Sequence, residues 1–235
     1  MSVSLRNAIL VVITILVPVA LVLTGVRAVL GPWFLEFEYR TPNFPADPYG
    51  FTMEERLRYS RIAVDYLLND EDISFLANQR FPEGEQAPPP TCAYMDDCTR
   101  MYNERELRHM VDVKEVVQAA LGVWYVSIAV LVITGIWAWR GNWMPDYRWG
   151  LARGGLLTLI LIAVILLLVL AAFGFIFVVF HQVFFEEGTW TFLWSDTLIR
   201  LFPERFWRDT FLVVGGITTL LGLLFWFTFR PRSDK

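Results

Sequence analysis

Four long apolar runs dominate this 235-residue chain, and the charged and polar positions gather between them. The runs cover residues 8–30, 116–138, 154–180 and 211–229. Each comes close to or exceeds the roughly 20 residues that an α-helix needs to cross about 30 Å of hydrocarbon. The pattern therefore predicts an all-α polytopic membrane protein with four transmembrane helices.

The polar intervals predict a division into three parts. Residues 1–30 lack a small-residue cleavage site before the aromatic Trp33, which favours an uncleaved signal-anchor span. Residues 31–115 are too long and in places too apolar for a flexible loop, so we expect a helical cap domain between spans one and two. Residues 116–235 are predicted to form a three-span domain with an interfacial elbow near 181–210.

The orientation in the membrane follows from the basic residues of the short segments, since positive charge beside a span resists translocation. Those segments contain Arg6, Arg140, Arg148, Arg153, Arg230, Arg232 and Lys235. They are expected in the cytoplasm together with both termini. The cap domain is then extracytoplasmic, and the elbow lies on the same outer face.

The distribution of charged residues argues against two classes of function. The net charge is −4, and acidic residues outnumber basic ones in residues 31–115, which argues against nucleic-acid binding. The spans are almost free of charged residues, which argues against an ion channel or a proton-coupled transporter. Membrane lipid is the partner that the composition implies.

Local signals predict two helix starts in the cap domain. Thr52 with Glu55, and Asn103 with Glu106, have the spacing of capping boxes. Behind Thr52, apolar residues recur at helical spacing and define one buried face. That face comprises Tyr59, Ile62, Ala63, Tyr66 and Leu67.

A proline-rich stretch separates these two helices. Three prolines, residues 88–90, predict an extended excursion rather than a helix. Cys92 and Cys98 follow and are the only cysteines. Outside the cytoplasm this C-x5-C pair favours a local disulfide over redox chemistry, which more commonly uses C-x-x-C.

The chain contains only two histidines, and both lie where an apolar run meets an outer segment. His109 is expected on the helix that continues into span two, where Glu106 and Asp112 lie one turn away and could orient its ring. His181 follows span three, near the outer membrane face. The alternatives are an incidental histidine on a charged helix and passive interfacial histidines.

Aromatic residues crowd the segment behind His181 and suit the headgroup zone. They are Phe184, Phe185, Trp190, Phe192 and Trp194. Ser195 or Asp196 is expected to cap a short helix before Pro203. A carboxylate that faces a polar cavity is the alternative for Asp196.

Four segments carry a family resemblance. They read YGFTMEER (residues 49–56), ERELRHMVDVK (104–114), FHQVFFEEGTWTF (180–192) and DTLIRLFPERFW (196–207). They resemble the bacterial membrane-protein family that includes lipoprotein intramolecular transacylase, Lit, and the likeness extends over most of the chain. The excursion around Cys92 and Cys98 lies outside the recognised pattern.

The resemblance implies a membrane acyltransferase at the outer face of the bacterial cytoplasmic membrane. Its substrate would be a diacylglyceryl-modified lipoprotein, whose sn-2 acyl chain moves to the α-amino group of its own N-terminal cysteine and leaves a lyso-form lipoprotein. No cofactor is expected. An α-amine titrates near 8 and an imidazole near 6.5, so the two exchange protons readily at about neutral pH.

Residue roles follow from that implied reaction. His109 is assigned as general base on the amine and His181 as its partner at the glyceryl oxygen, with the two roles exchangeable. Asp112 or Glu106 would orient His109, while Arg105 and Arg56 are candidate donors to the oxyanion.

Two other classes of protein compete with this interpretation. In a metal-dependent membrane hydrolase, His109 and His181 would be joined as ligands by Asp112, Asp196 or Glu186, although no familiar metal-binding spacing occurs. In a non-enzymatic membrane scaffold or lipid-binding accessory protein, both histidines would be passive.

Overall fold

The computed structural model describes residues 2–231 and is all-helical over that range, without a β-strand. Arg232 and Lys235, two of the basic residues used for orientation, lie outside it. The elements in chain order are α1 (Val3–Val29), α2 (Pro32–Tyr39), α3 (Met53–Leu68), α4 (Ser74–Ala77), α5 (Pro89–Cys92), α6 (Glu104–Arg140), α7 (Met144–Phe184), α8 (Thr197–Leu201) and α9 (Glu204–Phe229).

The helices α1, α6, α7 and α9 are long and apolar enough to cross a bilayer, which confirms the four predicted spans by length and composition. Both α6 and α7 extend well beyond their apolar runs, because their polar first turns are helical as well. The backbone of α7 leaves the helical conformation at Ala172, with φ −153° and ψ 54°.

The described chain forms two compact units. Unit 1 contains residues 2–29, 120–171 and 211–231, and unit 2 contains Leu30–Ala119 and Ala172–Thr210. Unit 2 thus takes in the whole predicted cap segment. Residues 181–210, the predicted elbow, cluster with it.

Unit 1 is a set of helices that pack through small residues and polar anchors. Gly154 leaves no room for a side chain, since a Cβ there would collide with Val17. The Tyr147 hydroxyl donates to the carbonyl oxygen of Leu131 at 2.7 Å. Close approach at glycine and side-chain hydrogen bonds are what hold helices together in lipid, where burial of apolar surface adds little.

In unit 2, α3 provides the central packing face. Its predicted capping box is confirmed: the Thr52 hydroxyl accepts from the Glu55 amide, and the Glu55 carboxylate accepts from the Thr52 amide. The predicted apolar face is also confirmed in its main part. Its fully buried members are Tyr59, Ala63, Tyr66 and Leu67.

A buried ion pair fixes α8 within unit 2. The Arg200 guanidinium lies 2.9 Å from the Asp47 carboxylate, and neither side chain is more than 3% exposed. The guanidinium also covers the ring of Phe51, at 3.6 Å from its centroid. The loop that precedes α3 is therefore tied to α8 through one arginine.

The proline-rich stretch is not wholly extended, so the expectation that its prolines exclude a helix was wrong. Pro88 precedes α5, and Pro89 and Pro90 form its first turn. Proline is tolerated there because the amides of a first turn have no intrahelical partner. A disulfide joins Cys92 to Cys98 directly behind this turn.

Replacing both cysteines by serine is expected to lower the free energy of unfolding of unit 2 by about 2 kcal/mol, as a short closed loop does. Thermal unfolding in detergent, with and without reductant, measures this effect. Reductant should destabilise the wild type and leave the double serine variant unchanged. A wild type that is insensitive to reductant would show that the bond does not stabilise the fold.

Glu38 of α2 is a buried carboxyl group, 1% exposed, and one of its oxygens has no hydrogen-bond partner within the described residues 2–231. Burial, followed by the nearby Asp209 carboxylate, raises the pKa of Glu38 from 4.5 to about 7. The folded state therefore holds an extra proton between these two pH values. Its stability contribution is complete below pH 4.5 and is lost as the pH rises through about 7.

We accordingly expect Glu38→Gln to flatten the fall in melting temperature of the detergent-solubilised protein between pH 4.5 and 7. Glutamine keeps the shape and does not titrate. Exposed Glu54→Gln is the matched control and should leave the slope unchanged. A wild-type slope in the Glu38 variant would contradict the assignment.

Candidate active site

His109 lies in the second turn of α6, and the start of that helix is firmly anchored. As predicted, Asn103 and Glu106 form a capping box: Glu106 N donates to Asn103 Oδ1 at 3.0 Å, and Asn103 N donates to Glu106 Oε2 at 2.9 Å. His109 is 8% exposed. Its buried Nδ1 has no hydrogen-bond partner in residues 2–231, so that atom is available to a bound molecule.

His181 lies in the last turn of α7 and is equally buried, at 8% exposed. Its Nδ1 is 2.7 Å from the carbonyl oxygen of Phe177, one helical turn earlier. Because a carbonyl oxygen only accepts hydrogen bonds, Nδ1 carries the proton. In the neutral ring, the lone pair is then on Nε2.

The two imidazoles lie side by side. Their ring centroids are 6.1 Å apart and their planes are 18° from parallel. This separation is well within the roughly 10 Å that a substrate shared by two proton-transfer groups would tolerate. Two histidines that are 72 positions apart in the sequence thus have neighbouring side chains in the fold.

Aromatic side chains surround the pair. Phe185 and Phe192 meet the His109 ring edge-on at 4.9 Å and 5.2 Å between centroids. Trp190 lies 5.0 Å from the His181 ring. The resulting site is apolar, and such surroundings strengthen each hydrogen bond made inside it.

The segment that carries Trp190 and Phe192 begins with a tight turn. Gly188 has φ +86°, a backbone conformation that a residue with a Cβ adopts only with strain. Thr189 N donates to the carbonyl of Glu186 within the same turn. The turn redirects the chain from α7 back toward the two histidines.

Asp196 holds the other end of this segment. Its fully buried carboxylate accepts hydrogen bonds from the Leu193 amide at 2.9 Å, the Thr91 hydroxyl at 2.9 Å and the Asn103 side chain at 3.1 Å. Arg105 adds an ion pair at 3.6 Å. The aromatic segment is thereby attached to the start of the His109 helix.

The expected cap of α8 is wrong in its acceptor. Asp196 occupies the N-cap position, but neither it nor Ser195 caps the helix with its side chain. Instead, Glu106 Oε1 accepts from the amide of Leu198 at 2.7 Å. Asp196 is instead buried and bonded to other protein groups, and the alternative of a polar cavity stays a prediction.

Three other candidate residues make no hydrogen bond to either histidine. Glu106 does not orient His109, because its oxygens bind the two backbone amides just described. Asp112 is half-buried, and over residues 2–231 it makes no hydrogen bond to either imidazole. Arg56 donates to the carbonyl of Pro45 at 2.6 Å and covers the Tyr39 ring, so it lies in the interior of unit 2 without contact to the histidines.

No three His, Cys, Asp or Glu side chains in residues 2–231 come close enough together to hold a metal ion. The arrangement with Asp112, Asp196 or Glu186 as additional ligands is therefore not formed. Asp196, for its part, is committed to its four partners.

Sequence reasoning assigned Phe185, Trp190 and Phe192 only to a membrane interface and gave no role to Thr91. The three aromatic residues could have been associated with His181, because all of them lie within eleven positions of it in the sequence. Nothing in the sequence around Thr91 links it to Asp196, which lies 105 positions later.

The chain matches the family described as "Lipoprotein intramolecular transacylase Lit" over residues 9–207. It belongs to the Lit family. A relative from Aquifex aeolicus (strain VF5), named as an uncharacterized protein, is 28% identical over 224 residues, which are 95% of this chain and 94% of the relative.

Solved structures of Lit from Bacillus cereus share the Lit-family fold seen here. The membrane-integral protein superposes with a TM-score of 0.76 at 22% identity and covers 96% of this chain and 94% of its own. A variant with a histidine replaced by arginine gives 0.71 at 21% identity, over 97% and 91% of the two chains. The chain therefore has the fold of the Bacillus cereus protein, which is described as membrane-integral.

Proposed function

We propose that this chain is a lipoprotein intramolecular transacylase, which moves the sn-2 acyl chain of a diacylglyceryl lipoprotein to the α-amino group of its N-terminal cysteine. The observation that carries the proposal is the pair of buried imidazoles, 6.1 Å apart, in an aromatic site of a Lit-family chain. Unit 2 would lie at the outer face of the bacterial cytoplasmic membrane, where lipidated substrates are located, and both termini in the cytoplasm.

The hydrogen bond of His181 favours it as the general base. With Nδ1–H held by the Phe177 carbonyl, Nε2 presents its lone pair and can take the proton of the attacking amine. His109 would then protonate the glyceryl oxygen as it leaves. This exchanges the roles first assigned to the two histidines.

The reaction is balanced without a cofactor. The amine nitrogen bonds to the ester carbon, the carbonyl electrons move to oxygen, and collapse of the intermediate breaks the bond to the glyceryl oxygen. His181 Nε2 takes one proton from the amine, protonated His109 gives one to that oxygen, and the proton gained by His181 then replaces the one lost by His109. Two imidazolium charges this close would repel each other, which favours transfer of the two protons in one step.

Because ester and amine belong to one molecule, the site needs only to fold the substrate into reacting geometry, and no acyl-enzyme is required. Enclosure by Phe185, Phe192 and Trp190 excludes water, which would otherwise compete as the nucleophile. In residues 2–231 no carboxylate accepts a hydrogen bond from either ring, in contrast to the carboxylate that orients the histidine of a hydrolytic triad.

Expression in a bacterium that lacks its lipoprotein N-acyltransferase tests the proposal. Intramolecular transfer leaves the total mass of a reporter lipopeptide unchanged, so tandem mass spectrometry must locate the acyl chain on nitrogen, and mild alkali must fail to release it. Unmodified diacylglyceryl termini, in cells with the protein present in their membranes, would overturn the proposal.

A further inference from the structure

Trp190 carries a buried hydrogen-bond donor that nothing in the described chain uses. Its indole Nε1 is buried and has no hydrogen-bond partner in residues 2–231. Its ring lies 5.0 Å from that of His181, with 40° between the two planes. Almost all buried donors in folded proteins are paired, so an orphan N–H inside a site indicates a missing acceptor.

No neighbour of Trp190 in residues 2–231 accepts from its indole N–H. The rings of Phe177 and Phe185 that contact His181 have no acceptor atoms, and the Nδ1 of His181 is bonded to the Phe177 carbonyl. The Nε2 of His181 has a lone pair but makes no hydrogen bond to the indole. The indole N–H is a donor only. Among the rings named around the two imidazoles, Trp190 alone adds such a donor.

The proposed reaction requires a donor at this kind of position. As the amine attacks, negative charge develops on the ester carbonyl oxygen, and a fixed donor in apolar surroundings stabilises that charge most effectively. Both imidazoles are occupied with proton transfer to and from nitrogen and glyceryl oxygen. A third group must therefore face the carbonyl oxygen.

Arg105, the candidate suggested by sequence, is less suited to this task. Its Nε is also buried without a hydrogen-bond partner in residues 2–231, but one of its terminal nitrogens is paired with Asp196 at 3.6 Å, and its side chain is 37% exposed. No contact joins it to either imidazole in the part of the chain that the structure describes. Trp190 contacts His181 directly. Its N–H is a neutral donor, so it can stabilise the oxyanion without adding a positive charge beside the imidazoles.

We propose that the Nε1–H of Trp190 donates a hydrogen bond to the carbonyl oxygen of the sn-2 ester and stabilises the tetrahedral oxyanion, as a catalytic residue of the reaction proposed above. The inference rests on that proposed function. The donor makes no covalent bond and loses no proton. Its position is fixed by the Gly188 turn on one side and by the Asp196 cluster on the other.

The test uses the full-length protein in detergent and a synthetic lipopeptide with an S-diacylglyceryl cysteine at its N-terminus. Trp190→Phe removes the N–H and keeps an aromatic ring. It should lower kcat by roughly 100-fold and change KM by less than about threefold, as loss of one oxyanion donor does. Trp194→Phe is the matched control, because Trp194 is in the same segment, is 73% exposed and should retain wild-type kinetics.

A second measurement separates this role from loss of structure. A lipopeptide analogue with a phosphonate in place of the sn-2 ester carries a fixed negative oxygen that resembles the intermediate. Its inhibition constant for Trp190→Phe should rise by about the factor lost from kcat/KM, whereas binding of the substrate changes little. A damaged site would weaken substrate and analogue alike and would overturn the proposal.

The outcomes also separate this inference from the proposed function. If the wild type yields N-acyl product and Trp190→Phe retains its kcat, the donor role is refuted while the transacylase stands. If the wild type yields no such product, the proposed function fails first, and the role of Trp190 with it.

Discussion

Replacement of His181 by alanine is expected to reduce N-acylation of a lipopeptide by at least roughly 100-fold, and by as much as 10,000-fold, as loss of a general base does. The lone pair on Nε2 is the only feature of the ring that the proposed reaction uses, since Nδ1–H is bonded to the Phe177 carbonyl. His109→Ala should have a similar effect. Initial rates for purified variants, with product located by tandem mass spectrometry, measure both losses.

Asparagine provides the matched control at this position. Its amide can donate to the Phe177 carbonyl as Nδ1 does, but it does not accept a proton at neutral pH. His181→Asn should therefore keep the melting temperature of the wild type and be as inactive as the alanine variant. Substantial activity in His181→Asn would show that a hydrogen-bonding group suffices at this position and that His181 moves no proton.

The double variant His109→Ala/His181→Ala tests whether the rings act as a unit. Groups that transfer protons in one reaction show strong non-additivity, so the double variant should be little slower than either single one. Rates that fall by the product of the two single effects would instead indicate independent roles. The 6.1 Å between the ring centroids favours the first result.

Asp196→Ala is expected to cause the largest loss of stability. The change leaves three buried donors and the Arg105 guanidinium without their acceptor, and breaking a buried, hydrogen-bonded charge typically costs about 3–5 kcal/mol. Activity should fall as well, because the segment that holds Trp190 and Phe192 loses its anchor. Thermal unfolding in detergent and transacylation rates measure the two effects.

Thr91→Val is the matched variant for a single bond of this cluster. Valine has nearly the shape of threonine, so only the hydroxyl that binds Asp196 and Ser195 is lost, at an expected cost of about 1 kcal/mol. Asp196→Asn should lie between the two, because one oxygen is kept. An Asp196→Ala variant as stable as the wild type would contradict the anchoring role.

Local sequence signals were sufficient where the relevant partners are near in sequence. The capping boxes at Thr52 and Asn103 formed as expected, because their partners lie three residues away. The positions of the four spans followed from the apolar runs for the same reason, since a helix satisfies its own backbone in lipid. The prediction that the prolines before Cys92 exclude a helix was wrong, because proline disrupts a helix interior but is tolerated in the first turn.

The same signals could not assign partners across the fold. Glu106 lies within reach of His109 by helical spacing, yet its carboxylate binds the Leu198 amide, 92 positions away. Asp196 was expected to cap its own helix, and it binds Thr91 and Asn103 instead. A polar side chain takes the best available donors in three dimensions, which spacing along one helix does not reveal.

The sequence by itself determined the four apolar helices and the starts of the two capped helices, and it singled out the two histidines as candidates, because each depends on periodicity, neighbours or rarity. Only the tertiary structure decided that the two imidazoles share one site, which aromatic rings enclose them and which carboxylate anchors that enclosure. The physical reason is that long-range side-chain pairing depends on packing between distant segments, whereas helix formation in an apolar run is a local property.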